Sequence, residues 1–482
     1  MTLRPPRTLL LSLLLLVPVA APAGALAAPR ADAPAVAPTD TLHLTLDDAV
    51  RRALAQGEEM RAAHAAVHQT EGQVLQELSR ALPQVSATVT YDRMLHSIYE
   101  DMFSGASGQG LGSVFENTPF AARNTWTASL TAQQLLWSGG KVGAALRAAH
   151  LANRSAHATS DATAADLVYQ VRQAYYDVSY ARRLVEIAEG ALAQARAHLQ
   201  QVEAGRREGS RSEYEQLRAG VDAANQEPPL VAARNGYDIA QLALKRLVDV
   251  PLEQPLALET PLAAADSTVP VVTDLSVAVD RRPAVQAADL AAEARRLAVN
   301  VYRGQRWPNL YVASTLAQEA FPSEIVPRRD QFLRNWDASL RLELPIFTGL
   351  RTEGQVKQAR AEYEQALAGR DLMREGARIE AIQARDELQR SLAALLARRG
   401  TVGQARRAWE LAGVRFTNGM STQIEVSDAR LQLQTAEVNE VQALRDYLVA
   451  VAALERAVGH PLTVVRTPIE ELTPSTRSEE NR

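Results

Sequence analysis

At 482 residues the chain is long enough for two or three domains, and its formal net charge of −4 gives no reason to expect nucleic acid as a partner. It contains no cysteine, which excludes both a disulfide framework and a lipid-modified N-terminal cysteine. Phe is scarce and Ala abundant, a composition that suits close helix–helix contact.

Arg4 and Arg7 precede an apolar run over Leu9–Ala20, and Ala25-Leu26-Ala27 forms an A-x-A cleavage pattern. Residues 1–27 therefore read as a secretory signal peptide. The run is too short for a membrane helix, and Pro18 and Pro22 interrupt it. Residues 28–43 read as a disordered leader.

Residues 44–81 read as one helix, with Thr45 as N-cap, Asp47 and Asp48 in the first turn, and Pro83 ending it. His64 and His68 are four apart on this helix, but no third ligand is near. They read as a solvated face, and neither metal nor cofactor is expected.

The period then changes from 3.6 to 2. A strand over about 84–99 alternates Val85, Ala87, Val89 and Tyr91 with Ser86, Thr88, Thr90 and Asp92. A Gly/Ser-rich loop follows at 103–113, and a return strand occupies about 113–137. Residues 139–248 then read as a long helical hairpin. Its seam runs Val171, Val178, Val185, Leu192 and Leu199, interleaved with Ala174, Ala181, Ala188 and Ala195. A helix of that length, on the order of 100 Å, cannot pack inside a compact domain. A Gly-containing turn at Gly205–Gly209 reverses the chain, and Pro228-Pro229 predict a bend near Glu227 in the return helix.

Residues 253–270 read as a Pro-punctuated linker. A second unit follows over 271–462, with strands at about 309–320 and 332–346, a helical hairpin over 350–458, and a polar tail over 463–482. This second unit repeats the first. Residues 126–252 reappear without a gap as 336–462, with Trp126 on Trp336, Gly139 on Gly349, Gly209 on Gly419, and Pro251-Leu252 on Pro461-Leu462, each pair 210 positions apart. So long a repeat means that one structural unit is built twice.

The last strand is the cleanest. Trp336, Leu340, Leu342 and Leu344 face one way, and Asp337, Arg341 and Glu343 the other. The ten steps from Trp336 to Ile346 rise about 25 Å when tilted, the height of an outer-membrane apolar band. A soluble core would have to pair the three charges, whereas a wet lumen accepts them. The first set is therefore expected to face lipid and the second a lumen. Four strands cannot close a barrel, and open edges are not viable in lipid, so several protomers must share one.

The strand-to-helix junctions Leu136-Trp137-Ser138-Gly139-Gly140 and Pro345-Ile346-Phe347-Thr348-Gly349 stand in the same order in both copies. So do the helix turns Arg206-Arg207-Glu208-Gly209-Ser210-Arg211-Ser212 and Arg415-Phe416-Thr417-Asn418-Gly419-Met420-Ser421-Thr422. With these motifs, residues 44–462 resemble the TolC family of outer-membrane efflux proteins. The resemblance implies a mainly α-helical fold with a membrane β-barrel part, assembled as a homotrimer with a 12-stranded barrel and a helical periplasmic tunnel. It further implies a periplasmic adaptor docking at the turns (Gly209, Ser210, Gly419, Met420) and an inner-membrane transporter of RND, ABC or MFS type.

By the same match, acidic rings at the closed end fall on Glu215, Glu425 and Asp428, with Phe416 and Ser421 as gate neighbours. Phe416 lacks a hydroxyl and Ser421 lacks a charge, so the gate bonds that relatives make there are not expected here. From the residues alone, the three acids are first-turn groups favoured by the helix dipole and solvated.

The function expected is a passive outer-membrane channel in an efflux or type I secretion system. The alternative is a structural coiled-coil tether across the periplasm. No nucleophile elbow, P-loop or dinucleotide fingerprint suggests an enzyme. Runs such as Glu380–Arg390 read as ordinary exposed charge.

Overall fold

The computed structural model describes residues 41–96, 122–263, 279–322 and 324–459. The expected signal peptide, most of the leader, the Gly/Ser loop, the outer ends of the first two strands, much of the linker and the tail lie outside the described residues.

The chain opens with β1 (Leu42–Leu44), α1 (Leu46–Gln56) and α2 (Glu58–Ser79). Thr45 caps α1 by accepting from the Asp48 N–H at 3.1 Å. The expected single helix over 44–81 is two helices, because the chain breaks at Gly57, whose backbone is extended (φ −56°, ψ 137°). Leu42 and His43, assigned to the leader, belong to β1.

Next come β2 (Gln84–Arg93), β3 (Asn124–Trp137) and α3 (Lys141–Arg207), a helix of 67 residues and about 100 Å. The return leg is α4 (Glu213–Ala224) followed by α5 (Glu227–Leu247). Pro228-Pro229 lie in the first turn of α5, where a missing N–H breaks no helical bond, so the bend is an orderly restart. The expected linker carries β4 (Leu256–Leu258), which pairs in parallel with β1.

Copy two adds α6 (Pro283–Gly304), β5 (Asn309–Ala320), β6 (Leu333–Glu343), α7 (Arg351–Arg398), α8 (Thr401–Thr417) and α9 (Gln423–Val458). Helix α6 was not expected. It is the counterpart of α2, but at an offset of 225, since Glu58 corresponds to Pro283 and Gln84 to Asn309. The change of offset falls in the connection between the two strands of each copy, which is shorter in copy two. The descending leg expected as one helix is two, α7 and α8, because Gly400 adopts φ 88°.

Left-handed backbone marks the repeat more sharply than side chains do. Gly139 and Gly349 have φ 61° and 60°, Gly140 and Leu350 80° and 65°, Gly209 and Gly419 76° and 71°, and Asp249 and Gly459 51° and 76°. Among the described residues, Gly400 alone of the positive-φ positions has no partner in the other copy.

The expected heptad seam of α3 is buried at Val171, Val178, Ala188, Leu192, Ala195 and Val202. Tyr175 lies at the centre of one core cluster with Leu167 and Leu244. Its hydroxyl donates to Leu44 O at 3.1 Å and accepts from Thr260 N at 2.9 Å, tying both short strands to the helix. A second cluster centres on Leu388, Tyr447 and Leu454.

The two copies are laced together along α3 and α9. Arg172 pairs with Glu455, Arg456 with Glu380 and with Asp166 at 3.0 Å, and Arg445 with Asp177 at 2.6 Å. Glu380 also pairs with Arg282, so this part of the 380–390 run is a half-buried cross-link, not ordinary exposed charge. Among the described residues no helix is long and apolar enough to cross a membrane.

At the strand-to-helix junction of copy one, a Cβ on Gly139 would lie 2.3 Å from Trp307 Cβ, whereas one on Gly349 would meet nothing within 4 Å. Gly349→Ala is expected to cost about 1 kcal/mol, the left-handed backbone alone. Gly139→Ala adds the clash and is expected to cost about 3 kcal/mol or more. Thermal denaturation of the detergent-solubilised protein measures the difference.

Candidate functional site

The four-stranded sheet has the order β2-β3-β5-β6, antiparallel throughout. Its register carries the alternation of each strand across the whole sheet. Opposed residues share a face, so Trp336, Leu316, Leu130 and Ala87 form one row on the apolar side. Leu340 beside Val312 and Leu342 beside Leu310 continue it. One residue over, Asp337, Thr315, Thr131 and Ser86 form a row on the opposite, polar side. Arg341 stands beside Tyr311, and Glu343 beside Asn309, on the same side.

The apolar side is uncovered. Trp336 is 76% exposed, Leu340 69% and Leu342 68%, whereas Leu344, expected on the same face, lies just past the end of β6, which stops at Glu343. Both outer strands, β2 and β6, are exposed along their full length and present unpaired backbone edges.

The helix tips are built twice from the same local rules. In copy one the Gly209 N–H donates to Arg206 O (3.0 Å) and the Ser210 N–H to Gly205 O (2.8 Å). In copy two the Gly419 N–H donates to Phe416 O (3.0 Å) and the Met420 N–H to Arg415 O (2.8 Å). These paired bonds close a helix C-terminus around a left-handed residue, which is why glycine occupies both positions. Ser212 and Thr422 then cap the next helices by accepting from the N–H groups of Glu215 (3.3 Å) and Glu425 (3.4 Å).

The acids behind those caps differ. The Glu215 carboxylate reaches back to accept from the Ser212 N–H (2.8 Å), completing a capping box, and also accepts from Arg211 (3.2 Å). The Ser212 backbone bond, chiefly, with the Ser212 hydroxyl and Arg211 adding to it, holds Glu215 below the usual carboxylate range. Glu425 makes no such return bond, and both Glu425 and Asp428 are exposed.

Arg211 also joins the two tips. Its guanidinium lies 4.1 Å from the centre of the Phe416 ring, and the Phe416 ring is packed against His198 at 5.5 Å. Phe416 is only 4% exposed, so the missing hydroxyl leaves no unpaired polar group there. A second link is Ser427 Oγ to Asp222 at 3.0 Å. Ser421 is half-buried and donates to Ala412 O at 3.3 Å. Met420 stands 62% exposed at the turn. On α2, His68 pairs with Glu71 at 2.9 Å. No cluster of metal-ligating side chains occurs among the described residues.

The sequence profile of outer membrane efflux proteins matches residues 49–249 and 275–460, nearly all of both copies. The chain belongs to the outer membrane efflux protein family. This is a family of transport channels, and the sheet and tips above are the two ends of its shared architecture.

Among its relatives, the outer membrane efflux protein BepC of Brucella suis is 24% identical over 342 residues, covering 70% of this chain and 73% of BepC. The pyoverdine export outer membrane protein OpmQ of Pseudomonas aeruginosa is 25% identical over 423 residues, covering 86% and 85%. In fold, the CmeC outer membrane channel of Campylobacter jejuni superposes with a TM-score of 0.73 at 16% identity, covering 89% of this chain and 88% of that one.

Sequence reasoning gave Arg211, Asp222 and Ser427 no role in joining the tips of this efflux protein, although Ser427 stands in the run from Glu425 to Ala429 that follows the copy-two turn. Arg211 stands within the quoted turn motif, but its contact with Phe416 spans 205 positions and leaves no periodic trace.

Because folding lowers the pKa of Glu215, the capping box is fully stabilising above the unfolded carboxylate value, near ~4.3, and is lost as pH falls through the folded value. Amide exchange at the start of α4, corrected for intrinsic rate, is expected to accelerate below about pH 4. Glu215→Gln should abolish that step.

Proposed function

We propose that this efflux protein is the exit duct of a three-part export system. Three copies pair β6 of one with β2 of the next and close a barrel of about 12 strands in the outer membrane. The helices form a tunnel in the periplasm, reached through export by the signal peptide. An adaptor docks at the turns around Gly209, Ser210, Gly419 and Met420, and an inner-membrane transporter of RND, ABC or MFS type supplies the energy. The duct itself is passive.

The observation that carries this reading is the sheet: one face mainly apolar, interrupted at Ser314, Gln318 and Gln134, the other mainly polar, and two open edges. In hydrocarbon each unpaired edge group costs several kcal/mol, so closure between copies follows once the apolar face meets lipid. In that arrangement Trp336, Leu340, Leu342 and Leu344 face lipid, and Asp337, Arg341 and Glu343 line water. A coiled-coil tether would have no use for a polar strand face, which favours the duct over that second reading.

At the closed end, Glu425 and Asp428 form the acidic rings, each a set of three carboxylates around the axis. Glu215, neutralised locally by Arg211, contributes less to the field. Phe416 and Ser421 sit beside the constriction as packing residues.

Single-channel recording of purified protein in a planar bilayer tests the reading. Small, cation-preferring openings are expected. The double substitution Glu425→Ala, Asp428→Ala should abolish the preference, and Glu215→Ala should change it less. Insertion without conductance at any voltage would favour the tether, and failure to insert would overturn the assignment of the strands.

A further inference from the structure

Where the sheet passes into the helices, the two copies together line a cavity of about 700 Å³. It lies on the polar side of the sheet, against Gln84, Gln133, Asn309 and Glu343. Matched positions of the repeat build it. Lys141 and Arg351, 210 positions apart, are the first residues of α3 and α7, and both line it. Gln133 and Glu343 are also 210 apart, and Gln84 and Asn309, 225 apart, open β2 and β5.

Its charge is one-sided. Lys141, Arg351 and Arg80 line it, and among the described residues Glu343 is the only acid that does. Arg80 is taken by Glu77 at 3.3 Å, and Glu353, in the same first turn as Arg351, pairs with Arg306 at 3.5 Å. Neither Lys141 nor Arg351 has an acid within salt-bridge distance among the described residues. Both also stand against the positive end of their own helix, at a cost of about 0.3–1 kcal/mol each. Helices α1, α2, α4 and α9 instead carry acids in that turn. Burial pushes the Lys141 ammonium below the usual lysine range, Glu343 pulls it back, and Arg80 adds to the fall. Strands β3 and β6 have only β5 between them, so about 10 Å separates their chains, a gap that two long cationic side chains can bridge through a shared anion.

Two amides in the same wall are unsatisfied. Asn309 Oδ1 and Gln355 Oε1 are sealed from solvent and accept no hydrogen bond. Leaving such a group unpartnered costs about 1–3 kcal/mol. Each amide also carries two donors, so both can serve an anion or the polar groups attached to one. A single inorganic ion would leave most of the cavity empty, whereas its volume suits a small organic molecule, for which pockets run to about 300–1,000 Å³.

We propose that this cavity binds a small organic carboxylate, with the acid group held between Lys141 and Arg351 and the polar body against Asn309 and Gln355. The proposal rests on the exit-duct reading, which puts the polar side of the sheet in water, and deepens it by naming a class of cargo. Three such sites ring the neck of the duct, beyond the acids of the tips.

Because the chain has no cysteine, single cysteines report cleanly. Gln133→Cys puts a thiol in the cavity wall. Thr90→Cys puts one on the same side of the sheet, about 20 Å along β2 from Gln84. Each full-length variant is inserted in planar bilayers, and the change in conductance is timed after adding an anionic or a cationic methanethiosulfonate.

The anionic reagent, relative to the cationic one, is expected to react about tenfold faster with Gln133→Cys than with Thr90→Cys. Saturating benzoate should slow modification at Gln133→Cys by about tenfold, and benzamidine, of similar size and opposite charge, should not. Lys141→Gln with Arg351→Gln should remove both effects and leave Tm unchanged or raised, since each helix start loses an opposed charge. If Thr90→Cys is modified but Gln133→Cys lacks either the anion bias or the benzoate protection, the site is overturned and the duct stands. No conductance change from either cysteine would overturn the duct reading itself, because the polar side would then face no lumen.

Discussion

The architecture depends on backbone groups that cannot be left unpaired. The sheet ends on β2 and β6, strands of 10 and 11 residues that are exposed on both faces. In water such edges are a hazard for aggregation, and in hydrocarbon they are excluded. One side of the sheet is mainly apolar on all four strands, and lipid is the environment such a face fits. In the proposed duct, pairing between copies would satisfy the edges, and that closure would set the axis on which everything below is arranged. The helices follow closely, because three residues separate β3 from α3, through Gly139-Gly140, and seven separate β6 from α7, through Gly349-Leu350.

The copies share a backbone plan but divide the duties. Both tips close with the same pair of bonds and a capping hydroxyl three residues before a glutamate. Yet Glu215 is held by Ser212 and Arg211, while Glu425 is left to the solvent. Gly400 breaks the descending helix of copy two, where α3 of copy one runs on unbroken. Each hairpin therefore has one unbroken leg and one interrupted leg, but in opposite order: the descending leg is continuous in copy one and the return leg in copy two. The tip of copy one is locally neutralised, whereas that of copy two leaves Glu425 and Asp428 exposed.

Much of this was legible because it is local. Period-two alternation in Asn309–Ala320 and Leu333–Glu343, the heptad seam of α3, and the cap at Thr45 each depend on residues within a few positions of one another. The offset of 210 exposed the repeat but hid its beginning. Helix α6 corresponds to α2 at an offset of 225, and a shorter connection between strands slipped the alignment. The strands β1 and β4 are three residues each, too short for any period, and they find each other across the chain. The breaks at Gly57 and Gly400 turn on single residues that a helix pattern tolerates on average. At the tips, the acids were visible as a motif. Their inequality was not, because Ser212-x-x-Glu215 and Thr422-x-x-Glu425 are the same capping pattern in sequence and only the first makes the return bond.

The contacts that join the tips are few, and their magnitudes bear on opening. The Arg211–Phe416 contact is worth about 0.5–1 kcal/mol at a surface site, and the Ser427–Asp222 bond, with a charged acceptor, about 1.5–3 kcal/mol. Three copies would hold the closed end by roughly 6–12 kcal/mol, to be set against the ~5.5 kcal/mol that carries a two-state equilibrium from 1:99 to 99:1. Spontaneous opening is then rare, yet the latch lies within reach of a partner. A partner that binds closed and open tips equally well shifts nothing, however tightly it binds. One that touches only the turns meets the same bonded loops in either state, since those bonds lie within each hairpin. A partner able to shift the balance would have to span the two hairpins where Arg211 meets Phe416 and Ser427 meets Asp222, because those contacts, unlike the turn bonds, are the ones that parting the tips would break.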